Sequence, residues 1–272
     1  MVDRTKESWD VATRNHNSHK GDQAAFLRGG GDTVFPEELA LVGAIAGKRI
    51  VHLQCNSGQD SLCLARRGAI VTGVDFSAEA VRFARRLAEE SAVHATFVEA
   101  EVVTWMAETE MRFDLAFASY GVVGWLRDLD AWARGVGRVL LPGGRIVYVD
   151  FHPLVWSVGA DGRLSGDDYF ATEPFVDPVR DYVAMSAGAL GGSSDATPLE
   201  NDVPATSYQY SLGAIVTALA SAGLIVERLE EYPFANGCKV TPALVLGEGR
   251  RWIWPPEIAR APLMFGLSAR KP

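Results

Sequence analysis

Between Lys48 and Phe151 the chain alternates short apolar runs with stretches of helical period. Ile50-Val51-His52-Leu53-Gln54 reads as a buried strand, followed by Gly58 and a helix through Leu62 and Ala65 that stops at Gly68, a residue suited to the left-handed C-terminal position. Ala69 to Val74 is the next strand. Ser77 then caps a helix with Ala80, Ala84, Leu87 and Ala88 on one face and Arg82, Arg85, Arg86 and Glu89 opposite. Ala95–Val98 and Phe113–Ala118 read as a third and a fourth strand. Asp128 to Leu140 carries Leu129, Trp132, Val136, Val139 and Leu140 at helical spacing, and Pro142-Gly143-Gly144 turns into a fifth strand, Arg145 to Phe151. After a break, Ser211 caps a helix with Leu212, Ile215, Val216 and Leu219 inward, ended by Gly223. Leu224–Phe234 and Leu263–Ala269 supply two more strands.

This alternation predicts an α/β fold: a Rossmann-like, doubly wound, mostly parallel seven-stranded sheet, its last pair compatible with antiparallel pairing. Right-handed crossovers place the strand C-terminal ends on one edge, where ligands of open α/β sheets bind. Pro153–Thr206 breaks the pattern with glycines and prolines, including Gly191-Gly192-Ser193-Ser194, and reads as an inserted cap or lid. The division expected is an N-terminal cover (1–35), a ligand-binding domain in two pieces (36–152 and 207–272) and the insert (153–206).

The 272 residues are 48% hydrophobic, which suffices for a large core, and the net charge of −8 argues against non-specific nucleic-acid binding. No apolar run is long enough to cross a membrane. The N-terminus lacks a signal-like apolar stretch, and three cysteines (Cys55, Cys63, Cys238) form no CxxC, so a cytoplasmic location is expected. Nothing in the sequence fixes an oligomeric state.

The loop after the first strand, Gln54-Cys55-Asn56-Ser57-Gly58-Gln59-Asp60, has one glycine where a dinucleotide-binding fold has three. Side chains at 54 and 56 would crowd a pyrophosphate, and Asp60 would repel it. A cationic ligand without phosphate has the opposite preference. Gln54 and Asn56 could hydrogen-bond an amino-acid head group. Asp75, closing the second strand, stands where a carboxylate holds ribose hydroxyls. Cys55 reads as packing. His16 and His19 could share a helix face but lack a third ligand, so no metal site is expected.

His52-Leu53-Gln54-Cys55-Asn56-Ser57-Gly58-Gln59-Asp60 with Val74-Asp75-Phe76-Ser77 resembles the class I S-adenosylmethionine-dependent methyltransferases, in particular a bacterial branch with an HLQCHFG loop. Phe113-Asp114, Gly124-Trp125-Leu126, Leu141-Pro142-Gly143-Gly144, Phe151-His152-Pro153, Ser211-Leu212-Gly213 and Pro262-Leu263-Met264-Phe265 extend the resemblance over most of the chain. It implies that S-adenosylmethionine is the cofactor, with Gln54, Asn56, Gly58 and Asp75 at its loop and ribose. Phe76 packs beside the adenosine. Glu101, with Ala100 and the Val102 amide, faces the adenine, Ser119 and Tyr120 line the methionine portion, and Trp9 belongs to the covering segment. Two positions depart from the branch: Asn56 and Tyr210 stand where histidine is usual.

The implied reaction is in-line methyl transfer to an N, O or C atom of a small organic acceptor. A nicotinamide-dependent oxidoreductase and a non-catalytic cofactor binder are the competing readings, the former disfavoured by the single-glycine loop. Candidates for a general base are His152 first, then His16, Tyr120 and Tyr210. Trp156, Tyr169, Phe170, Phe175, Tyr208, Tyr210, Tyr232, Phe234, Trp252 and Trp254 are read together as an aromatic acceptor pocket.

Overall fold

The computed structural model describes residues 4–272. The main sheet comprises β1 (Arg49–Leu53), β2 (Ile70–Asp75), β3 (Thr96–Glu99), β4 (Phe113–Ser119), β5 (Leu140–Phe151), β6 (Ile225–Tyr232) and β7 (Met264–Arg270), in the spatial order 3-2-1-4-5-7-6. Strands β1 to β5 pair in parallel, and β7 runs antiparallel between β5 and β6. The order reverses between β1 and β4, which opens a crevice beyond their C-terminal ends.

The helices are α1 (Thr5–His19), α2 (Gln23–Arg28), α3 (Pro36–Val42), α4 (Gln59–Ala65), α5 (Ala78–Ser91), α6 (Val102–Glu108), α7 (Leu129–Val139) and α8 (Leu212–Ser221). Period-two alternation in β4 sends Ala116 and Ala118 to the layer of α6, α7 and α8. Leu115 and Phe117 go to the opposite layer, with Leu41, Val42 and Leu64. Both faces are covered, so the strands read as continuous apolar runs rather than alternating ones. Ser77 and Ser211 cap α5 and α8 as predicted, and Asp128 caps α7, each accepting from the backbone amide three residues on.

Two strand boundaries differ from expectation by more than one residue. β5 begins at Leu140, and the Pro142–Gly144 turn survives as an irregularity in its register with β4. β6 ends at Tyr232 rather than Phe234, because Pro233 has no amide to donate to the ladder. Residues 234–236 instead pair with 251–253, which also pair with 245–246, in a separate antiparallel sheet.

The insert is a hairpin of 175–178 with 204–207, joined by turns and short 3₁₀ segments. It clasps one side of α1. The amides of Thr206 and Val179 donate to Thr5 Oγ1 (2.8 Å) and Ser8 Oγ (3.1 Å), Asn201 Nδ2 donates to the Ser8 carbonyl (3.0 Å), and His19 Nε2 lies 2.6 Å from Asp181. The other side of α1 lies on the strand-end loops. There Lys6 pairs with Glu99 (2.7 Å), Asp10 accepts from Ser77 Oγ (2.6 Å), and Asn17 Nδ2 donates to Ser57 Oγ (2.8 Å). Thus α1 bridges the sheet edge and the insert, and the three together roof the crevice.

Candidate active site

The loop that leaves β1 turns three times through the left-handed region, at Gln54 (φ 51°), Asn56 (φ 47°) and Gly58 (φ 77°). Only the third turn demands glycine for space. A Cβ there would stand 2.7 Å from Ala84 Cβ and 2.8 Å from the Phe97 ring. At 54 and 56 the side chains stabilise the strained backbone. Gln54 Nε2 donates to the Val122 carbonyl (2.9 Å), and Asn56 Oδ1 accepts from the Ser57 amide (2.6 Å) and hydroxyl (2.9 Å). A non-glycine residue held this way costs of order 1–3 kcal/mol and persists where the surroundings over-determine it. The loop therefore makes three left-handed turns with a single glycine.

Asp75 ends β2 directly beneath this loop. Its carboxylate is buried and accepts the Asn56 amide (2.8 Å) and the Ser77 amide (2.9 Å). Burial pushes the group up to about 6, against the lowering effect of those two amides. Each oxygen keeps a lone pair for a hydroxyl donor. Phe76 is half-buried beside it, and Ala100 is held by its amide on the Asp75 carbonyl (2.9 Å). Glu101 is the N-cap of α6: its two oxygens accept the Val103 amide (2.9 Å), the Thr104 amide (2.7 Å) and the Thr104 hydroxyl (2.7 Å). Val102 opens that helix and is buried in the core beneath.

From the roof, α1 presents Trp9, Thr13 and His16 at spacings of four and three, one helical face. Trp9 Nε1, Thr13 Oγ1 and His16 Nδ1 are all buried without a hydrogen-bond partner, as is Gln54 Oε1 on the loop below. Buried polar atoms are ordinarily paired, so these unpartnered atoms are open to a ligand's own polar groups. His16 Nε2 lies 3.0 Å from the Arg180 carbonyl. A carbonyl only accepts, so Nε2 carries the proton and Nδ1 the free lone pair. Desolvation lowers His16 to about 4, so the ring is neutral at pH 7.

The other base candidates are placed differently. His152 accepts the Leu154 amide at Nδ1 (3.2 Å) and meets Glu231 of β6 at Nε2 (3.0 Å), so both ring nitrogens are used on the β5–β6 side of the sheet, away from the Asp75 loop. Tyr210 donates its hydroxyl to the Leu126 carbonyl (2.8 Å). Tyr120, left-handed at φ 47°, donates to Glu38 and accepts from Asn236 Nδ2 (3.0 Å). Burial pushes Glu38 up to about 8, with the nearby Asp60 adding to it. Ser119 reaches Asp60 at 3.4 Å, and Asp60 accepts Thr33 Oγ1 at 2.5 Å.

The expected single aromatic pocket does not form. Phe170 and Trp156 are 74% and 45% exposed, while Trp252 and Trp254 are buried against α3 and the sheet. The side chain that the sequence reading missed is Tyr182, of the insert. Its ring lies 4.0 Å from that of His16, and burial pushes its hydroxyl well above the ordinary tyrosine range, with the charge of Cys238 and Asp75 adding to it. Its only sequence signal is one tyrosine in an aperiodic stretch. Trp125, packed edge-on to Trp9 at 5.3 Å, was legible only as part of a motif.

The family described as a methyltransferase domain matches residues 50–144, the stretch that carries this loop and Asp75. The chain is 34% identical over 113 residues to a demethylmenaquinone methyltransferase of Thermus thermophilus, covering 40% of this chain and 49% of that protein. It is 31% identical over 107 residues to a ubiquinone biosynthesis O-methyltransferase of Alkalilimnicola ehrlichii, covering 39% and 43%. The chain thus spans about half the length of the curated relatives it matches. A solved S-adenosylmethionine-dependent methyltransferase from Mesorhizobium loti superposes with a TM-score of 0.58 at 22% identity, over 87% of this chain and 96% of that one, a likeness of fold. With the reversed strand order, the thrice left-handed loop and the acid beneath it, these matches show a methyltransferase domain over residues 50–144 set in a Rossmann-like fold shared with solved S-adenosylmethionine-dependent methyltransferases.

Proposed function

We propose that this protein moves the methyl group of S-adenosylmethionine to an N, O or C atom of a small organic acceptor. The observation that carries the reading is the pairing of the 54–56–58 loop with the buried Asp75 carboxylate under it. The residues suit the cofactor. Asp75 has lone pairs left for two ribose hydroxyls, and the orphaned Gln54 Oε1 is an acceptor for an ammonium. The competing nicotinamide reading needs a pyrophosphate against the loop, where the side chains of Gln54 and Asn56 stand and Asp60 adds negative charge.

S-adenosylmethionine, when bound, supplies an electrophilic methyl on a sulfonium. The chain's own part is to orient the acceptor and exclude water, for which effective molarities of roughly 10⁵ M and above are available. In this reading α1 and the insert (1–35 and 153–206) act together as the cover of the two-piece domain (36–152 and 207–272). His16 takes the acceptor's proton at Nδ1 where the acceptor keeps one, and His152 and Tyr210 serve the fold. Among the described residues no helix is long and apolar enough to cross a membrane. Three free thiols favour a cytoplasmic setting, and the charge of −8 disfavours nucleic acid.

Isothermal titration tests the reading. S-adenosylhomocysteine should bind in the micromolar range and NADH should not bind. Binding of NADH, or no binding of S-adenosylhomocysteine, refutes it. Turnover of an acceptor then separates an enzyme from a mere binder.

A further inference from the structure

Beside the cofactor loop lies a cavity of about 410 Å³. Five separate pieces of chain form it: the turn from α1 into α2 with α2 itself, the Asp32–Thr33 segment, Gln59 after the loop, the insert around Gly188–Gly191, and Arg250 from the C-terminal part. Gln59 joins the cavity to the loop. It directly follows Gly58, and its Nε2 donates to Gln23 Oε1 (2.6 Å) and Asn17 Oδ1 (3.3 Å).

Two cations face this space. Lys20 follows α1, its backbone bridged to Gly192 of the insert. Arg250 is itself left-handed (φ 63°), its carbonyl accepts the Gly237 amide (2.8 Å), and its guanidinium lies over the Phe35 ring at 4.2 Å. Among the described residues neither cationic head meets a hydrogen-bond acceptor or a carboxylate within ion-pair distance.

The acids nearby are already engaged. Asp22 caps α2 through the Ala25 amide (2.8 Å), Asp32 pairs with Arg67, and Asp60 holds Thr33. Lys20 has lost enough solvent to fall to about 8, even with Asp60 opposing that change. A desolvated cation with no partner is an unfavourable arrangement, and an incoming anion would relieve it. Phe26, Leu27 and Leu190 line the rest and offer apolar contact.

We propose that this cavity seats the methyl acceptor, and that the acceptor carries a carboxylate held between Lys20 and Arg250 with its apolar body against Phe26, Leu27 and Leu190. The inference rests on the methyltransferase reading above and gives that reading a substrate class: small aryl or alkyl carboxylates.

Ligand-observed NMR and titration calorimetry test it, with benzoate, 4-hydroxybenzoate and 4-aminobenzoate against the three matching amides, on the full chain saturated with S-adenosylhomocysteine. The acids should bind about tenfold or more tighter than the amides, as expected for charge-assisted bonds to two cations. Lys20→Met and Arg250→Met should each abolish most of that preference, and Lys20→Arg should retain it. S-adenosylhomocysteine affinity should stay unchanged in all three variants. Equal binding of acids and amides, failure of every acid to bind, or an undiminished preference in both Met variants overturns the assignment. Loss of S-adenosylhomocysteine binding by the wild-type protein would instead count against the cofactor reading, because the acid-over-amide preference can be measured with no cofactor present.

Discussion

Asp75→Asn separates what the carboxylate does for a ligand from what it does for the fold. Burial holds the carboxyl at about 6, against an ordinary 3.8. At pH 7 the folded chain therefore carries an ionised group that the unfolded chain ionises more easily, by about 3 kcal/mol at 1.36 kcal/mol per pH unit. The sign is the reverse of the usual acid. Stability from this site is greatest below pH 3.8 and falls as the pH rises to about 6, because the native state binds the extra proton in that window. Asparagine resembles the protonated acid in charge and shape. It keeps one acceptor for the Asn56 or Ser77 amide and loses the other, a loss of about 1–3 kcal/mol. The two effects oppose each other, so the unliganded variant should melt within about 2 kcal/mol of the wild type at pH 7 and gain on it relative to pH 4. S-adenosylhomocysteine should nevertheless bind at least about 100-fold more weakly, since ribose hydroxyls lose a charged acceptor worth about 1.5–3 kcal/mol per bond. Urea unfolding at pH 4 and pH 7, with calorimetric titration of S-adenosylhomocysteine, measures both. A variant destabilised by more than about 3 kcal/mol at pH 7, or one that binds the ligand normally, refutes the account.

Gly58→Ala places a methyl 2.7 Å from Ala84 Cβ at φ 77° and should cost about 2–4 kcal/mol in urea unfolding, whereas Cys55→Ser should leave ligand binding intact. Asp181→Ala removes the acceptor of His19, the Leu199 amide and the Ala184 amide; hydrogen exchange should quicken in α1 and in 179–201 while the sheet stays protected. The pKa of Asp181 is lowered by these bonds despite its burial, so its contribution, present at neutral pH, should fade as the pH drops below 3.8. Nitrogen NMR should find His16 neutral at pH 6, protonated at Nε2 and bare at Nδ1; a proton on Nδ1 would contradict the Arg180 bond. Once an acceptor is known, His16→Ala should lower kcat by about 10²-fold and His152→Ala by far less, its loss appearing in stability.

The local pattern determined most of the fold. Apolar runs with both faces buried, capped helices and glycine stops are set by near neighbours in sequence, so strands β1 to β7 and helices α4, α5, α7 and α8 were legible without coordinates. The short helices α2, α3 and α6 were not, because six or seven residues span too few turns to display a period, whereas α4, equally short, was marked by Gly58 before it and Gly68 after it. The cofactor loop was legible by position, and its apparent deficit of glycine was resolved only in three dimensions. Backbone conformation at 54 and 56 is set by bonds to Val122 and Ser57, and space at 58 by Ala84 and Phe97. The choice among base candidates was likewise tertiary, since whether a histidine nitrogen is free depends on partners far away in sequence: Glu231 for His152, Arg180 for His16. The sequence alone thus determined the sheet, its ligand-bearing edge and the acid at the end of β2. Only the tertiary structure decided which side chains roof that edge and that Lys20 and Arg250 face one cavity, because contacts between distant segments follow from how surfaces pack and not from spacing along the chain.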